Sequence, residues 1–184
     1  MNQKENVGAR VLPLSYFARP ATELAPLLLG KILCRRTEDD VIRLRITETE
    51  CYFGEEDTAC HAHHGRTPRT EVMYEEGGRA YVYLCYGMHS LLNLTTGPAG
   101  HPEAVLIRAV QGIVGPGRLT RYMQIDRTLN KMPLTPESGL WVEEDGSVLN
   151  FTIGTRIGIA YAEKQDREKA WRFVAIEDEN TVEK

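Results

Sequence analysis

Val41-Ile42-Arg43-Leu44-Arg45-Ile46-Thr47-Glu48-Thr49-Glu50-Cys51-Tyr52-Phe53 is the stretch whose pattern decides the class of fold. Ile42, Leu44 and Ile46 alternate with Arg43, Arg45 and Thr47, the period of two that belongs to a strand with one covered face. Lys31 to Arg36 also reads as a strand, and the polar Glu38-Asp39-Asp40 between the two makes them a hairpin. Carried to its end, the alternation puts Glu48, Glu50 and Tyr52 on one face just before the turn at Gly54. A carboxylate beside an aromatic ring at a strand end is one way to set a general base next to a flat substrate. Taken alone, two acids on a strand serve more often as a solvated face.

Outward from this hairpin the other elements follow. Pro20 to Gly30 has the form of a short helix closed by a glycine, with Pro26 bending it or falling early in it. Strands are expected at Ala80 to Tyr86 and His89 to Thr96, separated by Gly87, and at Ala104 to Val110. Gly115-Pro116-Gly117-Arg118-Leu119-Thr120 opens a helix running to about Gln124, because proline is tolerated in a first helical turn, and that start is a ready anion site. Residues 126 to 150 are rich in turn formers, and the last strands are expected at Arg156 to Tyr161 and Trp171 to Ile176. The expected architecture is α+β, a curved and mostly antiparallel sheet flanked by short helices, in one domain spanning residues 1–184.

With 184 residues, 42% of them hydrophobic and 26% charged, the chain is long enough to close around its own core. No apolar run is long enough to cross a bilayer, and Met1-Asn2-Gln3-Lys4-Glu5-Asn6 lacks the apolar stretch of a secretory signal, so a soluble, cytoplasmic protein is expected; separately, a monomer is expected. Cys34, Cys51, Cys60 and Cys85 form no CxxC pair and suggest free thiols rather than a zinc ribbon or a disulfide framework. A formal net charge of −4 by itself argues against a nucleic-acid partner. Its distribution does not: Glu38, Asp39 and Asp40 near the start and Glu177, Asp178, Glu179 and Glu183 at the end flank a middle holding Arg66, Arg69, Arg79, Arg108, Arg118, Arg121, Arg127, Lys131 and all five histidines. Acidic flanks around a DNA-facing middle and an ordinary mixed surface explain this feature equally well.

Two more segments carry chemistry. Asp57-Thr58-Ala59-Cys60-His61-Ala62-His63-His64-Gly65-Arg66-Thr67-Pro68-Arg69 is a polar loop whose Cys60, His61, His63 and His64 invite a metal reading, but their crowding matches no familiar zinc spacing and no HExxH helix is present. No metal and no cofactor are therefore expected. In Tyr81-Val82-Tyr83-Leu84-Cys85-Tyr86-Gly87-Met88-His89, Tyr81 and Tyr83 share a strand face and Tyr86 falls at the bend. Aromatic rings stack on bases or wedge into the gap left by an extruded nucleotide, and equally serve as half-buried sheet residues.

Taken together and in order, TETECYFGEEDTACH, GRTPRTEVM, YVYLCYGMHSLLN, AVLIRAV, GPGRLT and RIGIAYA closely resemble the alkyladenine (3-methyladenine) DNA glycosylase family, over most of the chain from about Ala18 to Val174. The resemblance implies a monofunctional N-glycosylase of base excision repair. Such an enzyme flips an alkylated or deaminated purine of the 3-methyladenine, 7-methylguanine or hypoxanthine type out of duplex DNA and hydrolyses its glycosidic bond, leaving an abasic site. It further implies that Glu50 is the general base on the attacking water, that Arg108 helps to position that water, that Tyr52, His61 and Tyr83 wall the base, that Asn93 excludes the amino group of normal guanine, and that Tyr86 is the intercalating wedge. Trp171 departs from the family pattern, standing where proline-leucine is common, as do Cys51, His89 and Gln124. Two rival readings predict different behaviour: a metal-dependent hydrolase built on Glu48, Glu50 and the histidines would lose activity with chelator, and a silent nucleic-acid binder would have no need of Glu50.

Overall fold

The computed structural model describes residues 8–176. The amino-terminal stretch Met1 to Asn6 and the acidic residues Glu177, Asp178, Glu179 and Glu183 lie outside the described residues.

The sheet is built around the long hairpin. Strands β1 (Arg10–Val11), β2 (Ile32–Arg36), β3 (Val41–Phe53), β4 (Ala80–Cys85), β5 (His89–Thr95), β6 (Glu103–Val110), β7 (Ile113–Val114), β8 (Leu140–Glu144), β9 (Phe151–Gly154) and β10 (Arg172–Ala175) run in the order β1-β8-β2-β3-β6-β5-β4, with β7 on β6 and with β10 joining β3 to β9. Their pairings are antiparallel throughout. The α+β class and the antiparallel sheet flanked by short helices are thus as the pattern predicts.

β3 changes partners halfway along. Its first half pairs β2, from Val41↔Arg36 to Arg45↔Ile32, while its second half lies between β10 (Glu48 to Glu50) and β6 (Ile46 to Phe53). The β3–β6 register shifts between Ile46 and Glu48 and again between Glu48 and Thr49. Such irregularities bend a strand and re-aim its side chains, and this one falls at the two acids. Glu48, Thr49, Glu50 and Cys51 are all buried, so both faces are covered there and the solvated-face reading of the acids does not hold.

Helices α1 (Ala21–Leu27) and α2 (Pro116–Tyr122) pack against the sheet, α1 on β3 and β6, α2 on β5 and β6. Between helices and strands lies the main core, with Phe17, Leu24, Leu28, Leu33, Ile46, Leu92, Leu94, Ile107, Leu119 and Met123 essentially inaccessible to solvent. Each such side chain contributes about 1.5–3 kcal/mol by leaving water. α1 is tied at both ends of its length: the Ala21 N–H donates to Glu103 Oε2 at 2.6 Å, and the Ala25 carbonyl accepts from Thr49 Oγ1 at 2.7 Å. Pro26 sits in the last turn of α1 and not early in it as expected, while α2 begins with Pro116 after Gly115, as the sequence indicates. The remaining helix is one short turn, α3 (Lys164–Arg167). Among the described residues no helix is long and apolar enough to cross a membrane.

Two expectations fail. Arg156 to Tyr161 is not a strand but an irregular segment in which Gly158 takes φ +79°; Ile157 and Tyr161 are exposed and Arg156 is buried. Its alternating Ile157, Ile159 and Tyr161 imitate a strand, and the real one lies just before it, at β9. The turn-rich region 126 to 150 contains β8, inserted between β1 and β2, where Leu140, Trp141 and Val142 are buried. Glu143 follows them into the sheet because Trp141 Nε1 and Arg43 Nε donate to its carboxylate at 2.8 and 3.2 Å.

Candidate active site

A pocket opens where several parts of the chain meet: the end of β3 with Tyr52, the 57–61 loop with Ala59, Cys60 and His61, the β4–β5 hairpin with Tyr81, Tyr83 and Asn93, Met73, Ala104 of β6, and Tyr161. The sheet supplies its rings by strand alternation, since Tyr81 and Tyr83 are two residues apart on β4, and Tyr81 is paired with Asn93 on β5. His61 stands edge-on to Tyr83 with centroids 4.5 Å apart, and Tyr81 and Tyr83 are 5.4 Å apart and tilted by 35°. A slot with aromatic walls on several sides suits a flat ring. Tyr52, His61, Tyr83 and Asn93 are thereby brought to one place.

The polar atoms of the slot are organised from behind. Asn93 Nδ2 donates to the Tyr81 carbonyl at 3.2 Å, which holds its side chain against the strand. His61 Nε2 lies 3.5 Å from an Arg69 nitrogen, which can only donate, and so it accepts; Nδ1 then carries the proton and donates to the Tyr81 hydroxyl at 2.9 Å. Burial, reinforced by the charge of Arg69, pushes the His61 pKa down to about 4, so the ring is neutral at physiological pH.

Glu50 lies behind Tyr52 and is wholly buried. Its Oε1 accepts from the Ile157 N–H at 2.7 Å and lies 3.4 Å from Arg108; its Oε2 accepts from the Tyr52 hydroxyl at 2.9 Å. Tyr52 therefore belongs to both halves of the site, its ring to the pocket wall and its hydroxyl to the carboxylate. Burial pushes the Glu50 pKa above the usual carboxylate value, outweighing the opposite pull of Arg108, the Ile157 N–H and the Tyr52 hydroxyl, and neighbouring Glu48 pushes the same way as burial. Glu48 Oε1 in turn accepts from Arg108 Nε at 2.8 Å and Arg172 Nε at 2.6 Å. Two carboxylates and two guanidiniums thus alternate at the bend of β3, and Glu48 fixes the arginine that reaches Glu50.

Tyr86 stands apart from the slot, at the tip of the β4–β5 hairpin. It is 89% exposed, with φ +50°, followed by Gly87 at φ +69° and by an exposed Met88. The hairpin that carries Tyr81, Tyr83 and Asn93 into the pocket therefore carries an exposed aromatic at its other end. The metal-like crowd of residues does not converge: His61 lines the pocket, His63 Nδ1 turns to the Glu55 carbonyl at 2.7 Å, and Cys60 packs into a small apolar cluster. Among the described residues no group of three or more histidine, cysteine, aspartate or glutamate side chains is placed to hold a metal ion.

Sequence reasoning passed over the residues behind the site. Arg156, Asp57 and Tyr161, together with the Ile157 N–H, complete it, and all but Asp57 fall in RIGIAYA, a segment quoted for resemblance but given no role. A main-chain donor has no signature of its own. The basic middle divides as well: Arg118, Arg121 and Arg127 are exposed, Arg79 and Lys131 pair with Glu75 and Glu71, and Arg108 faces inward.

Comparison with known proteins agrees over the length of the fold. Residues 15–114 and 111–179 match the model of the family described as Methylpurine-DNA glycosylase. Proteins named "Putative 3-methyladenine DNA glycosylase" are similar to this chain: one from Psychrobacter cryohalolentis is 47% identical, covering 85% of this chain and 88% of that protein. Others from Borrelia garinii and Methanocella arvoryzae are each 42% identical, covering 86% and 89% of this chain and 92% and 91% of theirs. At these identities and coverages the chain belongs to the methylpurine-DNA glycosylase family.

Proposed function

We propose that this DNA glycosylase, acting as a single domain and a monomer, accepts a flipped alkylated or deaminated purine in the Tyr52, His61 and Tyr83 slot. Glu50 then activates a water to displace the base. The observation that carries this reading is the Glu50 carboxylate: fully buried, held by two hydrogen bonds and an ion pair with Arg108, and joined through Tyr52 to a pocket of aromatic rings.

The chemistry follows from the substrate. A purine alkylated at N3 or N7 is positively charged, so its glycosidic bond is already weakened and the transition state has oxocarbenium character at C1′. A neutral His61 lets such a cation stack without repulsion. The Glu50 carboxylate stabilises the developing charge and takes a proton from the water that attacks C1′, Arg108 helps to place that water, and the free base departs, leaving an abasic site in an unbroken strand. Asn93 at the slot wall selects against the amino group of normal guanine, and Tyr86 fills the gap left in the helix, where an aromatic wedge offsets part of the unstacking cost.

The test is base release from duplexes each carrying one 7-methylguanine, hypoxanthine or ethenoadenine, and from DNA carrying 3-methyladenine, with and without chelator. Free base together with alkali-dependent strand breakage, both unchanged by chelator, is the expected result. Chelator-sensitive release would favour a metal-dependent hydrolase. Duplex binding without release of any lesion would favour a silent binder.

A further inference from the structure

We propose that the buried Asp57–Arg156 pair is a positioning device for the reaction, locking together the loop that walls the pocket and the segment that holds the Glu50 carboxylate. The proposal rests on the reading of Glu50 as the base. Both side chains are fully buried. The Arg156 guanidinium grips Asp57 with both forks, at 2.5 and 2.8 Å, and donates also to the Cys51 and Asp166 carbonyls at 3.0 and 3.1 Å. Its central carbon lies over the rings of both Tyr52 and Trp171, 4.9 and 5.0 Å from their centroids. One residue further along, the Ile157 N–H donates to Glu50.

Asp57 does the same on the other side. Besides gripping Arg156, its carboxylate accepts from the Phe53 and Ala59 N–H groups at 3.3 and 3.2 Å, shaping the turn that sends Ala59, Cys60 and His61 to the pocket wall. Tyr161 closes the two loops on each other by donating to the Ala59 carbonyl at 2.8 Å. A brace that only filled space would be better made of apolar side chains, because burying an ion pair costs desolvation. The planar, bidentate fork instead fixes orientation as well as distance. The arrangement also tolerates a cost: Arg156 Nε is buried with no partner. Pulled by Asp57 and stacked behind Tyr52, Arg156 fixes both the ring that faces the substrate and the amide that holds the base.

The groups facing Glu50 are Arg108 from β6, Glu48 and Tyr52 from β3, and the Ile157 N–H, with Arg172 of β10 taken up by Glu48. If Arg156 lets the segment drift, the carboxylate loses a donor that favours its charged form, and the acid limb of the pH–rate profile moves to higher pH.

Single-turnover base release, its pH dependence and duplex affinity are to be measured on the full chain for Arg156→Lys, Ile157→Pro and Glu50→Gln, using a lesion that the wild type releases. Arg156→Lys keeps the charge and loses the fork; Ile157→Pro removes the amide donor and leaves the ion pair. Both are expected to slow release about 10- to 100-fold with duplex affinity within about threefold of wild type, and both to shift the acid limb upward. A folded Arg156→Lys with the wild-type rate or an unshifted limb would overturn the proposal, and so would failure of that variant to fold, which would make the pair a folding brace only. If Glu50→Gln still releases base at the wild-type rate, it is the reading of Glu50 that fails, whatever the other variants do.

Discussion

At Glu50, the burial that strengthens the carboxylate as a base also works against the fold. Its pKa is raised in the native state, so the native protein binds that proton more tightly than the unfolded chain does. The stability linked to this group is therefore fully present in acid and is lost as pH rises through the unfolded and then the raised native value. Glu50→Gln, which mimics the protonated form, is predicted to melt no lower than wild type at pH 7, and any advantage should shrink as the pH is lowered. His61 has the opposite sign. With its pKa down at about 4 against an ordinary 6.5, the unfolded chain takes up the proton first, and stability falls as pH drops from 6.5 toward 4, by on the order of 3 kcal/mol at most. Denaturant titrations across that range should show the loss in wild type and a smaller one in His61→Gln. Glu50, Tyr52, His61, Tyr83, Asn93 and Arg108 were legible because motifs carry side chains. The Ile157 amide was not, since a backbone donor has no letter, and the role of Arg156 depends on a fold that brings residues 57 and 156 together.

Elements were legible where periodicity and punctuation agreed. The β2–β3 hairpin, the β4–β5 hairpin, β6 and both longer helices lie where alternation, prolines and glycines put them. β8 was hidden because its three buried apolar residues sit among turn formers, and the supposed strand at 156 to 161 was persuasive because Ile157, Ile159 and Tyr161 alternate although two of them are exposed. Close approach between elements leaves its own test. A Cβ on Gly77 would lie 2.2 Å from the Phe17 carbonyl oxygen and 2.7 Å from Thr96 Cα, both main chain and unable to yield cheaply. Gly77→Ala is predicted to cost about 2 kcal/mol or more, lowering Tm by about 4–8 °C, measurable by thermal melts. Tyr86 gives the contrary case: at the exposed hairpin tip its loss should leave Tm nearly unchanged. Tyr86→Ala is instead expected to slow base release from duplex more than from single-stranded DNA, where no gap has to be filled.

For the whole molecule, net charge misleads and distribution informs. The chain carries −4 overall, yet of the middle region's cations Arg79 and Lys131 are paired, Arg108 is turned inward, Arg66 and Arg69 are exposed over the rings of Tyr74 and Tyr83, and Arg118, Arg121 and Arg127 are exposed in and just after α2. If these three meet phosphates, log Kd for undamaged duplex rises steeply with log salt, and Arg118→Ala/Arg121→Ala makes the slope shallower by about 2 while weakening binding equally for all sequences. A slope unchanged by that double substitution would remove α2 from the interface. The α+β class was legible from one stretch of alternation, but not the curvature that brings distant parts of the chain to the same site, for β10 lies against Glu48 and Glu50 across more than a hundred residues of sequence.

On the proposed reading a buried carboxylate, not a metal or a covalent nucleophile, drives base release. Single-turnover release from a lesion-bearing duplex, measured for wild type and Glu50→Gln beside their duplex affinities, tests it most directly. Release is predicted to fall at least about a hundredfold in Glu50→Gln while affinity stays within a few-fold. Release by the variant at a rate close to wild type would contradict it.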